Sequence, residues 1–139
     1  MGIDAEKAKA ILEQNGYTCV LCCGEAVSHS IYRGVRPLVD FLDSGADYAG
    51  FSAADKVVGK ATAFLYVLLG VREVYAGVLS DAAAAVFEVY GIPYFCGQRV
   101  PAIRNRSNTG FCPMEQATRD IQDPAQALAA VRNTLKKLQ

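Results

Sequence analysis

Between residues 52 and 96 the chain alternates helix-length apolar periods with short β-rich runs, and this alternation narrows the available folds more than any other feature. From Ser52, Val57, Val58, Ala61, Phe64, Leu65 and Leu68 recur at helical spacing, and Gly70 stands near the end. Residues 72–79 form a β-rich run, Asp81–Tyr90 is helical and stops at Gly91, and residues 92–96 make a further strand interrupted by Pro93. Helix, strand, helix, strand at these lengths is the pattern of parallel strands joined by crossover helices.

The flanks complete the layers. Residues 4–15 place Ala8, Ile11 and Leu12 on one helical face, with Asp4 as a cap and Gly16 beyond the end. Residues 17–23 and 26–32 read as two strands around the turn Gly24-Glu25, hence an antiparallel hairpin. Pro37 suits the first turn of a short helix ending near Gly45. At the end of the chain Asp123 caps, Pro124 takes the first position and Gln126 completes a capping box, while Leu128, Val131, Leu135 and Leu138 form one stripe. That stripe either packs on the domain's own body or meets a second copy in a homodimer. The expected fold is a three-layer α/β/α domain over residues 1–139, with a mixed sheet in which an N-terminal antiparallel hairpin precedes parallel strands.

Composition removes several classes of function. Fourteen basic residues balance fourteen acidic ones, so no global positive field exists to hold a long nucleic acid. The most apolar stretch, residues 61–71, is far shorter than the ~20 residues a bilayer span needs, so no membrane partner is expected. Five cysteines, three of them crowded at Cys19, Cys22 and Cys23, form no disulfide framework. Reduced thiols and the lack of a signal-peptide pattern make the cytoplasm the expected compartment.

Metal chemistry finds little support. Cys19 and Cys22 have the spacing of a zinc pair, but residues three apart in a strand face opposite sides and no second pair follows. The three thiols suit buried strand positions, His29 reads as an ordinary strand residue, and no metal or cofactor is expected. Asp55 admits two readings: an acid three residues after the capping Ser52, or a site residue. Lys56 and Lys60 would share a helical face beside it. Cys112, ahead of Pro113 and with Glu115 at the third helical position, is the best candidate nucleophile because a helix N-terminus favours a thiolate. It is also readable as a small, partly buried cap with an inert thiol. The polar run from Asn105 through Arg106 to Thr109 either pins a loop to its own backbone or joins Arg36 and Lys56 in an anion site. Ser80 and Asp81, at the end of the strand over residues 72–79, are expected at the same sheet edge.

The order of elements resembles the cytidine deaminase-like fold. In zinc deaminases, that resemblance implies His-Ala-Glu or Cys-Ala-Glu at the start of the second core helix and Pro-Cys-x-x-Cys at the next. Here those motifs fall on Ala53-Ala54-Asp55 and on the stretch from Ser80 to Ala85, where no cysteine or histidine stands. The fold is implied and zinc-dependent deamination is not. Three further stretches, residues 34–38, 54–61 and 105–115, together resemble a small prokaryotic family of unknown function that carries this fold without the zinc motifs. The likeness covers about residues 8–116, leaving the C-terminal helix over 124–138 outside it. The leading expectation is a domain that binds a small polar or nucleotide-derived ligand through Arg36, Asp55, Lys56, Ser80, Asp81, Asn105, Arg106, Thr109 and Glu115. Two alternatives stand beside it: a cysteine-dependent enzyme using Cys112 with Asp55 or Glu115 moving protons, and a non-catalytic scaffold whose contact is the last helix.

Overall fold

The computed structural model describes residues 1–105, 110 and 112–138. Its elements are α1 (Ile3–Asn15), β1 (Cys19–Cys23), β2 (Ala26–Ser30), α2 (Arg36–Asp43), β3 (Ser52–Val58), α3 (Lys60–Leu69), β4 (Glu73–Ser80), α4 (Asp81–Tyr90), β5 (Tyr94–Val100), α5 (Pro113–Thr118) and α6 (Pro124–Leu138). The five strands form one sheet in the order β2-β1-β3-β4-β5. Neighbours β2, β1 and β3 pair antiparallel, and β3, β4 and β5 pair parallel. The fold is therefore a three-layer α/β/α arrangement around a mixed sheet.

One expectation fails in an instructive way. Residues 52–58 are the central strand, not the opening of a helix, and α3 begins only at Lys60. Asp55 caps nothing: it lies in β3 with its Cα opposite Cys19 of β1. Lys56 and Lys60 consequently share no helical face, and Ala53-Ala54-Asp55 cannot open a core helix. The physical reason is that β3 is covered on both sides, so its residues need not alternate between apolar and polar. Ala53 faces the larger core and Ala54 the smaller cluster with Ala8, Leu12, Val20 and Cys22, where α1 packs. Alanine suits both positions because it lets helices approach from either side.

The opposite layer is built around α3, which is buried from Lys60 through Tyr66 and touches α2, α4, α5 and α6. Leu38, Val39, Phe64, Leu65, Val86, Phe87 and Val131 join in this core. Burying one such side chain stabilises the fold by roughly 1.5–3 kcal/mol relative to leaving it exposed. Cys19 and Cys22 do face opposite sides of β1, one in each cluster, but Cys23 at the strand end is exposed and not a core residue. The last strand starts after Pro93 and runs to Val100, further than the sequence pattern indicates. In α1 the cap position is Gly2, while Asp4 instead accepts the Gly24 N–H at 3.1 Å and ties the helix to the hairpin turn. In α6, Asp123 caps as expected, accepting the Gln126 N–H at 2.9 Å. The stripe of α6 packs on the domain itself: Val131 is buried, Leu128 and Leu135 lie against the core, and only Leu138 is largely exposed.

Candidate functional site

A cleft of about 800 Å³ opens beside the carboxyl-terminal half of β3 and the first turn of α3. Ligand sites in α/β sheets gather at this edge, and the volume falls in the usual range for small-molecule sites. Cys19 and Asp55 contribute from the sheet, Thr18 from just before β1, Arg33 from the β2–α2 connection, Pro37 from the first turn of α2, and Ile103 to Asn105 with Cys112 to Glu115 from the opposite wall. Leu135 and Leu138 close the side formed by α6. Most walls are thus apolar, with a few polar groups converging between them.

The deepest polar group is Asp55, only 6% exposed. The Tyr66 hydroxyl donates to its Oδ2 at 2.6 Å, and the Val57 N–H reaches its Oδ1 at 3.3 Å. Tyr66 has one proton and gives it to the carboxylate, so the Cys19 thiol, 3.1 Å from the same hydroxyl, is the donor to it. Burial pushes Asp55 up to about 7, against the Tyr66 hydroxyl and the Val57 and Lys56 N–H groups, which favour the charged form. Burial and the neighbouring carboxylate likewise hold Cys19 and Tyr66 well above their ordinary values. Asp55 is the group in this chain of three that changes charge near neutrality.

Glu115 forms the other acidic wall. Its Oε1 accepts the Lys60 N–H at 2.9 Å, which makes it the cap that α3 lacks in its own sequence. Burial raises its pKa, while the Lys60 N–H and charge and the nearby Ser80 hydroxyl act in the opposite direction. Lys60 holds α5 a second time, because its Nζ donates to the Arg119 carbonyl at 2.8 Å. Cys112 sits at the N-cap of α5, half-buried on the cleft wall, and its thiol makes no capping hydrogen bond.

The pattern of residues 7–135 matches the domain of unknown function DUF1893, nearly the whole chain. The chain belongs to the DUF1893 family. The match extends through most of α6, so the C-terminal helix is part of the DUF1893 unit rather than an addition to it. A crystal structure of a DUF1893 family protein from Thermotoga maritima is similar over 96% of this chain and 91% of that one, with a TM-score of 0.87 and 22% identity. A diaminohydroxyphosphoribosylaminopyrimidine deaminase/5-amino-6-(5-phosphoribosylamino)uracil reductase from Thermotoga maritima shows 18% identity and a TM-score of 0.43, over 68% of this chain and 33% of that one. Among curated proteins none matches this DUF1893 chain.

Within the DUF1893 fold the residues singled out from sequence divide. Asp55, Lys56, Asn105, Cys112 and Glu115 line the one cleft. Arg36 does not; its guanidinium lies over the Tyr32 ring, 5.2 Å from the centroid. Ser80 is the cap of α4, accepting the Ala83 N–H at 3.1 Å, and Asp81 is paired at 2.7 Å with Arg99 on the surface. Arg106 and Thr109 lie outside the described residues. His29 is exposed and stacks on Tyr17, with ring centroids 4.0 Å apart. Among the described residues no group of three His, Cys, Asp or Glu side chains gathers to hold a metal. Sequence reasoning missed Tyr66 and Arg33, and placed Lys60 only as a helical-face partner of Lys56. Tyr66 had a signal, since a tyrosine hydroxyl within the apolar run 61–71 must find a partner when buried.

Gly59 explains how Glu115 reaches α3, because a Cβ at that position would collide with the Glu115 carboxylate. Gly59→Ala and Glu115→Ala are each expected to lower stability by about 1 kcal/mol through loss of the same cap. The double variant should be no less stable than the worse single one. Urea unfolding of the four proteins measures this; additive losses would show that the two positions act independently.

Proposed function

We propose that the cleft binds a small, polar, nucleotide-derived ligand. The observation that supports this reading is the convergence of Asp55, Lys56, Asn105, Cys112 and Glu115, from separate segments, on one apolar-walled cavity of about 800 Å³. A flat ring packs between walls such as Val35, Ile103 and Met114, and polar groups at the floor and rim fix its orientation. Arg33 and Lys56 at the rim suit a phosphate or carboxylate. The protein's expected home is the cytoplasm, a reading that suits its five free thiols. Among the described residues no helix is long and apolar enough to cross a membrane.

The test is thermal unfolding with a panel of nucleosides and nucleoside monophosphates. A ligand present at a hundred times its Kd should add about 2.7 kcal/mol, a rise in Tm of several degrees. Arg33→Ala should shrink the rise given by a monophosphate and leave that of its nucleoside. A panel with no stabilising member sinks the proposal. The thiol reading of the same cleft gains from Cys112 sharing the cavity with both Asp55 and Glu115. Under it, a stabilising compound also protects Cys112 from alkylation by iodoacetamide and is consumed by the wild type but not by Cys112→Ser.

A further inference from the structure

We infer that the floor of the cleft recognises a cationic nitrogen group, an amidinium, guanidinium or protonated amine carried on a flat apolar body. The inference rests on the reading of the cleft as a small-molecule site and specifies which end of the ligand goes inward. Asp55 is a carboxylate in the wall of a cavity, yet among the described residues no cation is paired with it. The ion pairs among the described residues are Lys9 with Glu13, Arg99 with Asp81 and Arg132 with Asp43, all on the surface. A buried carboxylate without a counter-charge is costly, and three neutral donors do not remove that cost. The Tyr66 hydroxyl donates to Oδ2, the Val57 N–H makes a long contact to Oδ1 and the Lys56 N–H also favours the carboxylate, which offers about four lone-pair positions. Acceptor capacity therefore remains at a residue that lines open space.

The surrounding groups define the polarity of the site. Cys19 from β1 and Tyr66 from α3 are hydrogen-bonded into the same chain as Asp55 and stay neutral near pH 7. Glu115 from α5 is a second acid on the cavity wall. Lys56 on β3 itself and Arg33 and Arg104 from the connections are exposed cations at the rim. The interior is acidic and the rim basic, so a ligand with both charges enters cation first. With the site empty, Asp55 near neutrality is shared between its two protonation states; a cation bound against it favours the ionised one.

Benzamidine is a suitable probe, with benzamide as its neutral counterpart of the same shape. Isothermal calorimetry near pH 8 should give benzamidine an affinity about tenfold or more above benzamide. Near pH 6, in two buffers of different ionisation heat, benzamidine binding should release up to about one proton per protein, and benzamide none. Asp55→Asn should abolish both the preference and the proton release while retaining benzamide binding. Equal affinities for the two probes, with no proton released and no effect of Asp55→Asn, overturn the cation inference and leave the small-molecule reading standing. If neither probe binds while a nucleotide or nucleoside stabilises the protein, the cation inference fails alone. If neither probe binds and the nucleotide panel is also silent, both fail.

Discussion

Asp55→Asn is expected to stabilise the protein relative to wild type as pH rises, by up to about 4 kcal/mol between about pH 4 and pH 8. The folded carboxyl titrates near 7 against 3.8 for an ordinary aspartate, because burial penalises its charge. Below about pH 4 the group is protonated in both states and costs nothing extra. Through the window from 3.8 to about 7 the unfolded chain loses its proton and the folded one keeps it, so wild-type stability falls; above that window the loss is complete. Asparagine has no charge to bury and its carbonyl still accepts the Tyr66 hydroxyl. Urea unfolding of both proteins across this range isolates the residue, since every other titrating group is shared. Parallel profiles would mean that Asp55 is solvated well enough to ionise freely.

Gly77→Ala is expected to lower stability by about 3 kcal/mol, the upper end of the usual cost of overpacking. A Cβ at residue 77 in β4 would lie 2.7 Å from the Lys56 carbonyl oxygen and 3.6 Å from the Lys56 Cα. The obstacle is main chain of the neighbouring strand, which cannot rotate away as a side chain can. Relief requires β3 to move at the residue next to Asp55, so any ligand-induced rise in Tm should shrink as well. Urea midpoints with an unchanged slope would register the first effect and thermal unfolding with ligand the second. A loss below about 0.5 kcal/mol, typical of an inconsequential substitution, would show that the strands have slack there.

Much of the fold is written locally. Gly24 marks the hairpin turn, Pro37 the start of α2, Gly91 the end of α4, and Asp123 with Pro124 the start of α6, each for a reason confined to a few neighbouring residues. Strand β3 is different, because what makes it a strand is its position between α1 and α3. Ala53 and Ala54 fit a helix as well as a strand covered on both faces, and Gly59, which separates strand from helix, fits as one small residue within a longer helical period. The cleft was legible in part for the same reason. Cys112 and Glu115 announce themselves beside Pro113, whereas the link from Cys19 through Tyr66 to Asp55 joins three elements that only the sheet register brings together. The polar run from Asn105 to Thr109 falls mostly outside the described residues, and within them the acids Asp55 and Glu115 are the groups that mark the cavity.

Lys60 gives the outer wall of the cleft its mechanical character. Its main chain holds the Glu115 side chain and its side chain holds the Arg119 main chain, so α5 is fastened at both ends to the first residue of the most buried helix. A segment moored in this way moves with the scaffold, and swinging it outward as a flap means breaking two bonds at once. Under the proposed small-molecule reading, a ligand that enters between the β2–α2 connection and the end of α6 meets a wall already in place.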